Sequence, residues 1–276
     1  MTKEQFFAVV ADLDAEALRK ALWTLYWRGS APMRERIEGV LVPGAAAEQR
    51  AQRQTPPDPW TTAWEINDFV ALARRGAYLA GDRRVSPRER TRWRFTFRRL
   101  AAEGQQALAG DEEGSVAEAL GRLVDLACET KGTDRFRSHD PIAAAQVVVS
   151  DLVEALWTAE RERLDLEAFA ERAAAQLLRW ESPWGWTRMG EGRVAERERP
   201  LAEVLEGLLR TPDEWSALAR AYVSALEQQR GTGTGGRRRG EWPVAERLGG
   251  WHAVLSDRLR GSEDEALLDR LPRGWS

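Results

Sequence analysis

Helix-start signals followed by apolar stripes recur along the whole chain, and they restrict it to one fold class. Ser86–Glu89 and Thr211–Glu214 each supply a hydroxyl N-cap, a proline in the first turn and a glutamate three residues after the cap. Thr2–Gln5 has the same capping-box form without the proline. Aspartates that can act as N-caps precede three further stripes: Asp14, Asp140 and Asp165. Such signals are typical of helices that begin at defined residues.

The apolar residues after these caps follow the helical period. After Thr211 they fall at Trp215, Leu218, Ala219, Tyr222 and Leu226, the i, i+3, i+4, i+7 pattern of one helix face. The stripe after Asp140 is the most apolar and predicts one long central helix from residue 141 to about 157. We expect an all-α protein of about ten helices, arranged as an irregular helical-hairpin stack or a bundle. No motif recurs every 30–45 residues, so a regular helical-repeat array is not indicated.

Composition shifts divide this helical pattern into segments. Prolines and the absence of periodicity mark one segment as a linker or exposed loop. Glycines and arginines mark a second segment as flexible. This second segment matches G-x-G-x-x-G in form only, because a dinucleotide-binding loop would need a strand before it. The expected organisation is an N-terminal helical hairpin (1–42), a linker (43–59), a main helical domain (60–229), a flexible Gly/Arg segment (230–241) and C-terminal helices (242–276).

One tryptophan-rich stretch interrupts the helices. Trp180, Trp184 and Trp186 precede Gly190–Gly192, a glycine-bearing turn between two short runs. This pattern predicts a small β-hairpin over residues 186–196. We expect the tryptophans to pack the hairpin onto helix ends; the alternative is that Trp184 and Trp186 stack on a ligand such as a sugar, a base or a proline-rich peptide.

Composition limits where the protein works. No apolar run has the roughly 18–20 residues of a membrane span, the N-terminus lacks the features of a signal peptide, and the single cysteine, Cys128, excludes an internal disulfide. Only three of the 41 basic residues are lysines, a bias typical of GC-rich bacterial genomes. We therefore expect a bacterial cytoplasmic protein without membrane contact.

The 13 tryptophans are first of all core candidates. Aromatic side chains within helical stripes usually fill the gaps between packed helices. On this ground we expect five of them to be core residues: Trp23, Trp93, Trp157, Trp215 and Trp251.

A basic helix is the leading candidate for a binding surface. Eight arginines lie between Arg83 and Arg99. At 100° per residue, Arg88, Arg92 and Arg99 surround Phe95 on the side opposite Trp93. Such a surface suits a protein partner or, through phosphate contacts and base stacking, a nucleic acid; the third interpretation is a solvated helix face. A second basic element, Arg237, Arg238 and Arg239, lies in the Gly/Arg segment.

Catalytic groups are scarce. The two histidines, His139 and His252, belong to no triad or zinc motif, and a helix C-terminus disfavours a Cys128 thiolate. Asp151 and Glu154 share a helix face, and with Glu160 or Glu171 they could form a carboxylate metal site. We expect a non-catalytic helical interaction or scaffold protein that needs no cofactor. A nucleic-acid-associated protein and a carboxylate-metal enzyme are the alternatives.

Overall fold

The computed structural model describes residues 2–11, 13–29, 33, 37, 56–79, 82–231 and 247–271. The chain divides into unit 1, Met1–Pro56, and unit 2, Pro57–Ser276. Unit 1 contains helices α1 (Lys3–Ala11) and α2 (Ala15–Arg28). The expected caps begin both: Thr2 and Gln5 form a reciprocal capping box, and the Asp14 carboxylate accepts from the Ala17 amide at 2.7 Å.

The described part of unit 2 is mostly helical. Its helices are α3 (Pro59–Arg74), α4 (Pro87–Ala107), α5 (Ser115–Gly132), α6 (Pro141–Ala145), α7 (Val149–Arg163), α8 (Leu166–Trp180), α9 (Gly192–Ala195), α10 (Leu201–Leu208), α11 (Pro212–Gly231) and α12 (Gly249–Leu259). The described part of unit 2 also contains two 3-10 helices, Leu108–Gly110 and Glu265–Arg270. The all-α class is confirmed. The count of about ten is not confirmed, because short helices such as α6 and α9 raise the number in the described ranges.

The core of unit 2 lies where the apolar stripes of its longer helices meet. Helix α3 packs on α4 and α5, α5 packs on α7, and α8 packs on α11. Phe136, in the loop after α5, stacks on Trp93 with the ring centroids 4.2 Å apart and contacts Phe69 as well. Trp157 is fully buried and donates from Nε1 to Gln176 at 2.6 Å. Nowhere in the described ranges is a helix both long enough and apolar enough to cross a bilayer.

Four of the five tryptophans expected in the core are there: Trp93, Trp157, Trp215 and Trp251 are buried. The expectation is wrong for Trp23, which is 60% exposed. Trp23 lies on the side of α2 away from the leucines and stacks on Trp27, four residues later on the same helix, at 5.8 Å. Trp27, one helical turn away, supplies the aromatic contact that we expected Trp23 to find in a core.

The β-hairpin predicted over residues 186–196 is wrong, because the described chain contains no strand there and residues 192–195 form the helical turn α9. The hydrogen bonds of Arg188, just before this turn, explain why no strand forms. The Arg188 amide donates to the Asp140 carboxylate at 2.8 Å, and the Arg188 guanidinium donates to the Thr130 carbonyl at 2.7 Å. These bonds to α5 and α6 take the place of a strand ladder.

The single long helix expected after Asp140 is also wrong. Helix α6 ends after five residues, and Gln146 adopts a left-handed conformation with φ +55°. Val147 and Val148 follow, and α7 begins at Val149. Consecutive β-branched residues favour extended backbone, and Gln146 stops α6 before the valines enter it. At the C-terminus, the expected last helix is the 3-10 helix Glu265–Arg270.

Candidate interaction surface

The outward side of α4 carries the basic candidate residues. Trp93 and Phe97 face the core, whereas Phe95 is 50% exposed on the opposite side. Arg88 and Arg92 are exposed with it, and the Arg94 guanidinium lies 4.9 Å from the centre of the Phe95 ring. The periodicity therefore placed this aromatic side chain and its arginine neighbours correctly.

Four of the eight arginines from Arg83 to Arg99 form hydrogen bonds or ion pairs within the described part of the protein. The Arg99 guanidinium bonds to the Glu65 carboxylate at 2.8 Å and to Glu103 at 2.5 Å. Three others donate to backbone carbonyl groups: Arg84 to Arg75, Arg90 to Asp82 and Arg98 to Ala145. These contacts hold α4 and the loop before it to α3 and α6, so the positive charge of the four guanidiniums is not fully free for a ligand.

Helix α3 adds two exposed aromatic side chains that the sequence analysis did not identify as surface residues. Trp60 is 70% and Trp64 is 59% exposed. They lie one turn apart on the side opposite Ile66 and Phe69, which enter the core. Their i, i+4 spacing was a visible signal. However, α3 has an apolar stripe on each of two sides, and only the packing against α4 and α5 decides which one is buried.

Trp60, Trp64, Arg88, Arg92 and Phe95 together are called here the α3–α4 outer face. The two helices pack against each other. The Arg99–Glu65 ion pair bridges them, next in sequence to Trp64 and one turn from Phe95. This pair orients the outer sides of the two helices relative to each other. Residues Arg237, Arg238 and Arg239 lie outside the described residues.

The three tryptophans of the interrupting stretch have two different environments. Trp180 and Trp186 are each 1% exposed, and Trp180 donates from Nε1 to Asp125 at 2.6 Å. Enclosed in this way, Trp186 offers no ring face to a ligand. Trp184 is 64% exposed beside a small concavity of about 210 Å³, so the expected packing role is wrong for this residue.

Two glutamates, the buried Glu181 and the partly buried Glu198, fasten this stretch to helix N-termini. The Glu198 carboxylate accepts from the Val149 and Ser150 amides, both at 2.8 Å, and from the Ser150 hydroxyl at 2.7 Å, which caps α7. The Glu181 carboxylate accepts from the Ala202 amide at 3.2 Å, in the first turn of α10. Burial raises the pKa of Glu181 to about 6 although these bonds oppose the rise, and burial also raises the pKa of Glu198. Neither role could be predicted from the sequence, because each carboxylate caps a helix far from its own position or across a loop.

A lysine and a serine complete the attachment. The Lys131 ammonium donates to the Ser182 hydroxyl at 2.8 Å and to the Gly185 carbonyl at 2.6 Å, and burial lowers its pKa. Gly185 has φ +62°, a left-handed conformation that favours glycine. The polar groups around the Trp184 concavity are therefore engaged in holding the loop.

A larger cleft of about 620 Å³ opens between α5, α7, α8 and α11. Its charged side chains occur as three ion pairs: Arg122–Glu118 at 3.4 Å, Arg179–Asp125 at 3.8 Å and Arg172–Glu160 at 3.0 Å. Glu160 is buried, and that burial raises its pKa. Each carboxylate has its own guanidinium, so these pairs leave the cleft without a net charge to attract an ionic ligand.

The side chains considered for catalysis lie in different environments. His139 is exposed, whereas His252 is buried with Nε2 2.7 Å from the Tyr222 hydroxyl. Burial raises the pKa of Cys128 to about 12, so its thiol keeps its proton near neutral pH. Asp151 and Glu154 form ion pairs with Arg197 and Arg199. In the part of the chain that the structure describes, no group of three or more acidic, histidine or cysteine side chains could hold a metal ion.

Comparison with known proteins gives no further information about this surface. No protein-family model, curated protein or solved structure matches the chain.

Proposed function

We propose that this chain is a non-catalytic helical interaction protein that binds another protein through the α3–α4 outer face. The observation that carries the proposal is the exposure of three large aromatic side chains, Trp60, Trp64 and Phe95, at 70%, 59% and 50%. They project from two helices whose opposite sides form the core of unit 2. The bacterial cytoplasmic setting expected from composition is kept as part of this proposal.

Exposed aromatic side chains contribute binding energy when a partner buries them. Tryptophan, tyrosine and arginine are the residue types that most often dominate the energy of protein interfaces. The aromatic ones bury a large area for few rotatable bonds. Helices α3 and α4 are held by the core on one side and by the Glu65–Arg99 pair between them. Binding at this face would thus cost little ordering entropy. The exposed Arg88 and Arg92 favour a partner whose rim is acidic.

Binding of nucleic acid by the same helix is the alternative. It is supported by Arg94 over Phe95, an arrangement in which a base could stack on the aromatic ring. The intramolecular bonds of Arg84, Arg90, Arg98 and Arg99 leave fewer charges for phosphate. Under this alternative, replacing Arg88, Arg92 and Arg99 together by glutamate would abolish a gel shift with DNA or RNA. An unchanged gel shift would exclude it.

The test of the proposal begins by identifying the partner. A photo-crosslinking amino acid at position 64 is expected to capture one protein in the producing cell, and the same amino acid at the exposed position 167 of α8 is expected not to. The captured protein is then purified and titrated calorimetrically. Trp60→Ala, Trp64→Ala and Phe95→Ala are each expected to weaken binding by about fivefold or more, the loss of roughly 1 kcal/mol that marks an interface hot spot.

Trp184→Ala is the matched control, because Trp184 is equally exposed but lies on the loop before α9. It is expected to leave the affinity unchanged. Equal losses in all four variants would show a nonspecific apolar effect and would overturn the proposal, as would unchanged affinity in the α3 and α4 variants. A gel shift lost only in the arginine variant would assign the face to nucleic acid.

A further inference from the structure

Unit 1 exposes apolar side chains that its described residues do not cover. None of the described side chains of unit 1 is buried. On α2, Leu22 is 39% and Leu25 is 52% exposed. At 100° per residue, these two leucines form a narrow stripe with Leu18 and Ala21, while Trp23 points to the other side. A helix of 14 residues in water needs such a stripe to be packed against something.

We propose that two copies of this chain associate through α2, with the two helices antiparallel. The stripe Leu18, Ala21, Leu22 and Leu25 is called the α2 seam. In an antiparallel pair, Leu18 of one copy meets Leu25 of the other, and Ala21 meets Leu22. The small Ala21 side chain lets the two backbones approach at the centre. Both contacts occur twice, as the two-fold symmetry of a homodimer requires.

The charges at the two ends of α2 favour a second copy of this chain as the partner, and they favour an antiparallel pair. Asp14 caps the N-terminus and Arg28 lies in the last turn, both of them exposed. The register that pairs Leu18 with Leu25 also sets Asp14 one residue from the position opposite Arg28 of the second copy, within reach of the long arginine side chain, at both ends of the seam. A parallel pair would instead set Asp14 against Asp14 and Arg28 against Arg28. The helix dipoles favour the same antiparallel choice.

The seam is short, so the association is weak. Two helices of this length bury less than the roughly 1,200 Å² of stable protein complexes. A dissociation constant in the micromolar range is expected.

Sedimentation equilibrium of the full chain, from about 1 to 200 μM, measures this association. The double variant Leu22→Ser/Leu25→Ser is expected to weaken it at least tenfold. Trp23→Ser is the control, because it removes an equally exposed apolar side chain outside the seam and is expected to leave the dissociation constant unchanged. Circular dichroism checks that the variants keep their helix content. A monomeric wild type at 200 μM, or an equal loss in Trp23→Ser, overturns the proposal.

Disulfide trapping tests the direction of the two helices. In a Cys128→Ala background, Ala21→Cys is expected to form a disulfide-linked dimer under mild oxidation by copper phenanthroline. Leu18→Cys is expected not to, since in the antiparallel pair its counterpart lies two turns away. Crosslinking of both variants would indicate a parallel pair and overturn the assigned register.

The remaining test measures whether the chain binds lipid vesicles. The wild-type chain is mixed with phosphatidylcholine vesicles containing about 30% phosphatidylglycerol and floated on a density gradient. Flotation that requires Leu22 and Leu25, together with a monomeric state in solution, would assign the seam to a membrane surface and overturn self-association. These measurements are independent of the α3–α4 outer face.

Discussion

At the scale of single residues, the least expected feature is a buried carboxylate that binds backbone amides. Glu181 is 5% exposed and sits between the end of α8 and the start of α10. It accepts from the Ser182 amide at 2.9 Å and from Ala202, and Arg247 contributes a favourable charge. Desolvation nevertheless dominates, and it raises the pKa of this carboxyl to about 6 from the ordinary 4.5. A raised pKa means that folding disfavours the ionised form of this carboxyl relative to the unfolded chain.

The free energy of unfolding should therefore depend on the ionisation of Glu181. Below pH 4.5 the carboxyl is protonated in both states. As the pH rises from 4.5 to 6, the unfolded chain releases this proton first, so stability falls, and it levels off above pH 6. Glu181→Gln does not titrate. The unfolding free energy of this variant minus that of the wild type should rise by about 2 kcal/mol between pH 4 and pH 7.

Urea titrations at several pH values give this difference. Because burial also raises the pKa values of Glu160 and Glu198, only the difference between the two proteins isolates Glu181. A difference that stays constant across the range would contradict the assigned pKa.

At the scale of elements, local signals predicted where helices begin, whereas distant contacts decided how some of them are capped. The Ser86–Glu89 and Thr211–Glu214 capping boxes are confirmed, and so are the Asp140 and Asp165 caps. Each uses a hydrogen bond across three residues, which a sequence shows directly. Helix α7 has Val148 at its N-cap, and valine cannot cap. Its amides are satisfied by Glu198, 48 residues away, and no local pattern indicates that bond.

Removing this distant cap should destabilise unit 2. Glu198→Ala leaves the Val149 and Ser150 amides without their acceptor, and the free energy of unfolding is expected to fall by about 1–3 kcal/mol. Glu198→Gln keeps one acceptor oxygen and should lose less. Glu196→Ala, at an exposed position two residues earlier, is the control and should stay within about 0.5 kcal/mol of the wild type. Equal effects at positions 196 and 198 would show that the cap contributes no stability.

At the scale of the whole molecule, the sequence predicted the fold class but only part of the candidate surface. Phe95 with Arg88 and Arg92 could be assigned to the outside, because α4 has one apolar stripe and they lie opposite it. Trp64 could not, since it belongs to a second apolar stripe on α3, and burial of one stripe depends on contacts with α5 that are remote in sequence. The pairing of Arg99 with Glu65 is remote for the same reason.

The distribution of the core leads to a last prediction, that residues 57–276 fold without residues 1–56. The buried apolar side chains of the described chain run from Ala63 to Leu259, so all of them belong to unit 2. A chain beginning at Pro57 keeps the Asp58 cap of α3 and is expected to unfold cooperatively, with a melting temperature within about 4 °C of the full chain. A chain beginning at Pro87 loses α3, and with it Ile66 and Phe69 from the core. Because deleting such side chains costs about 2–5 kcal/mol each, this shorter chain should not fold. Differential scanning calorimetry compares the three, and a markedly lower melting temperature for the chain beginning at Pro57 would show that unit 1 stabilises unit 2.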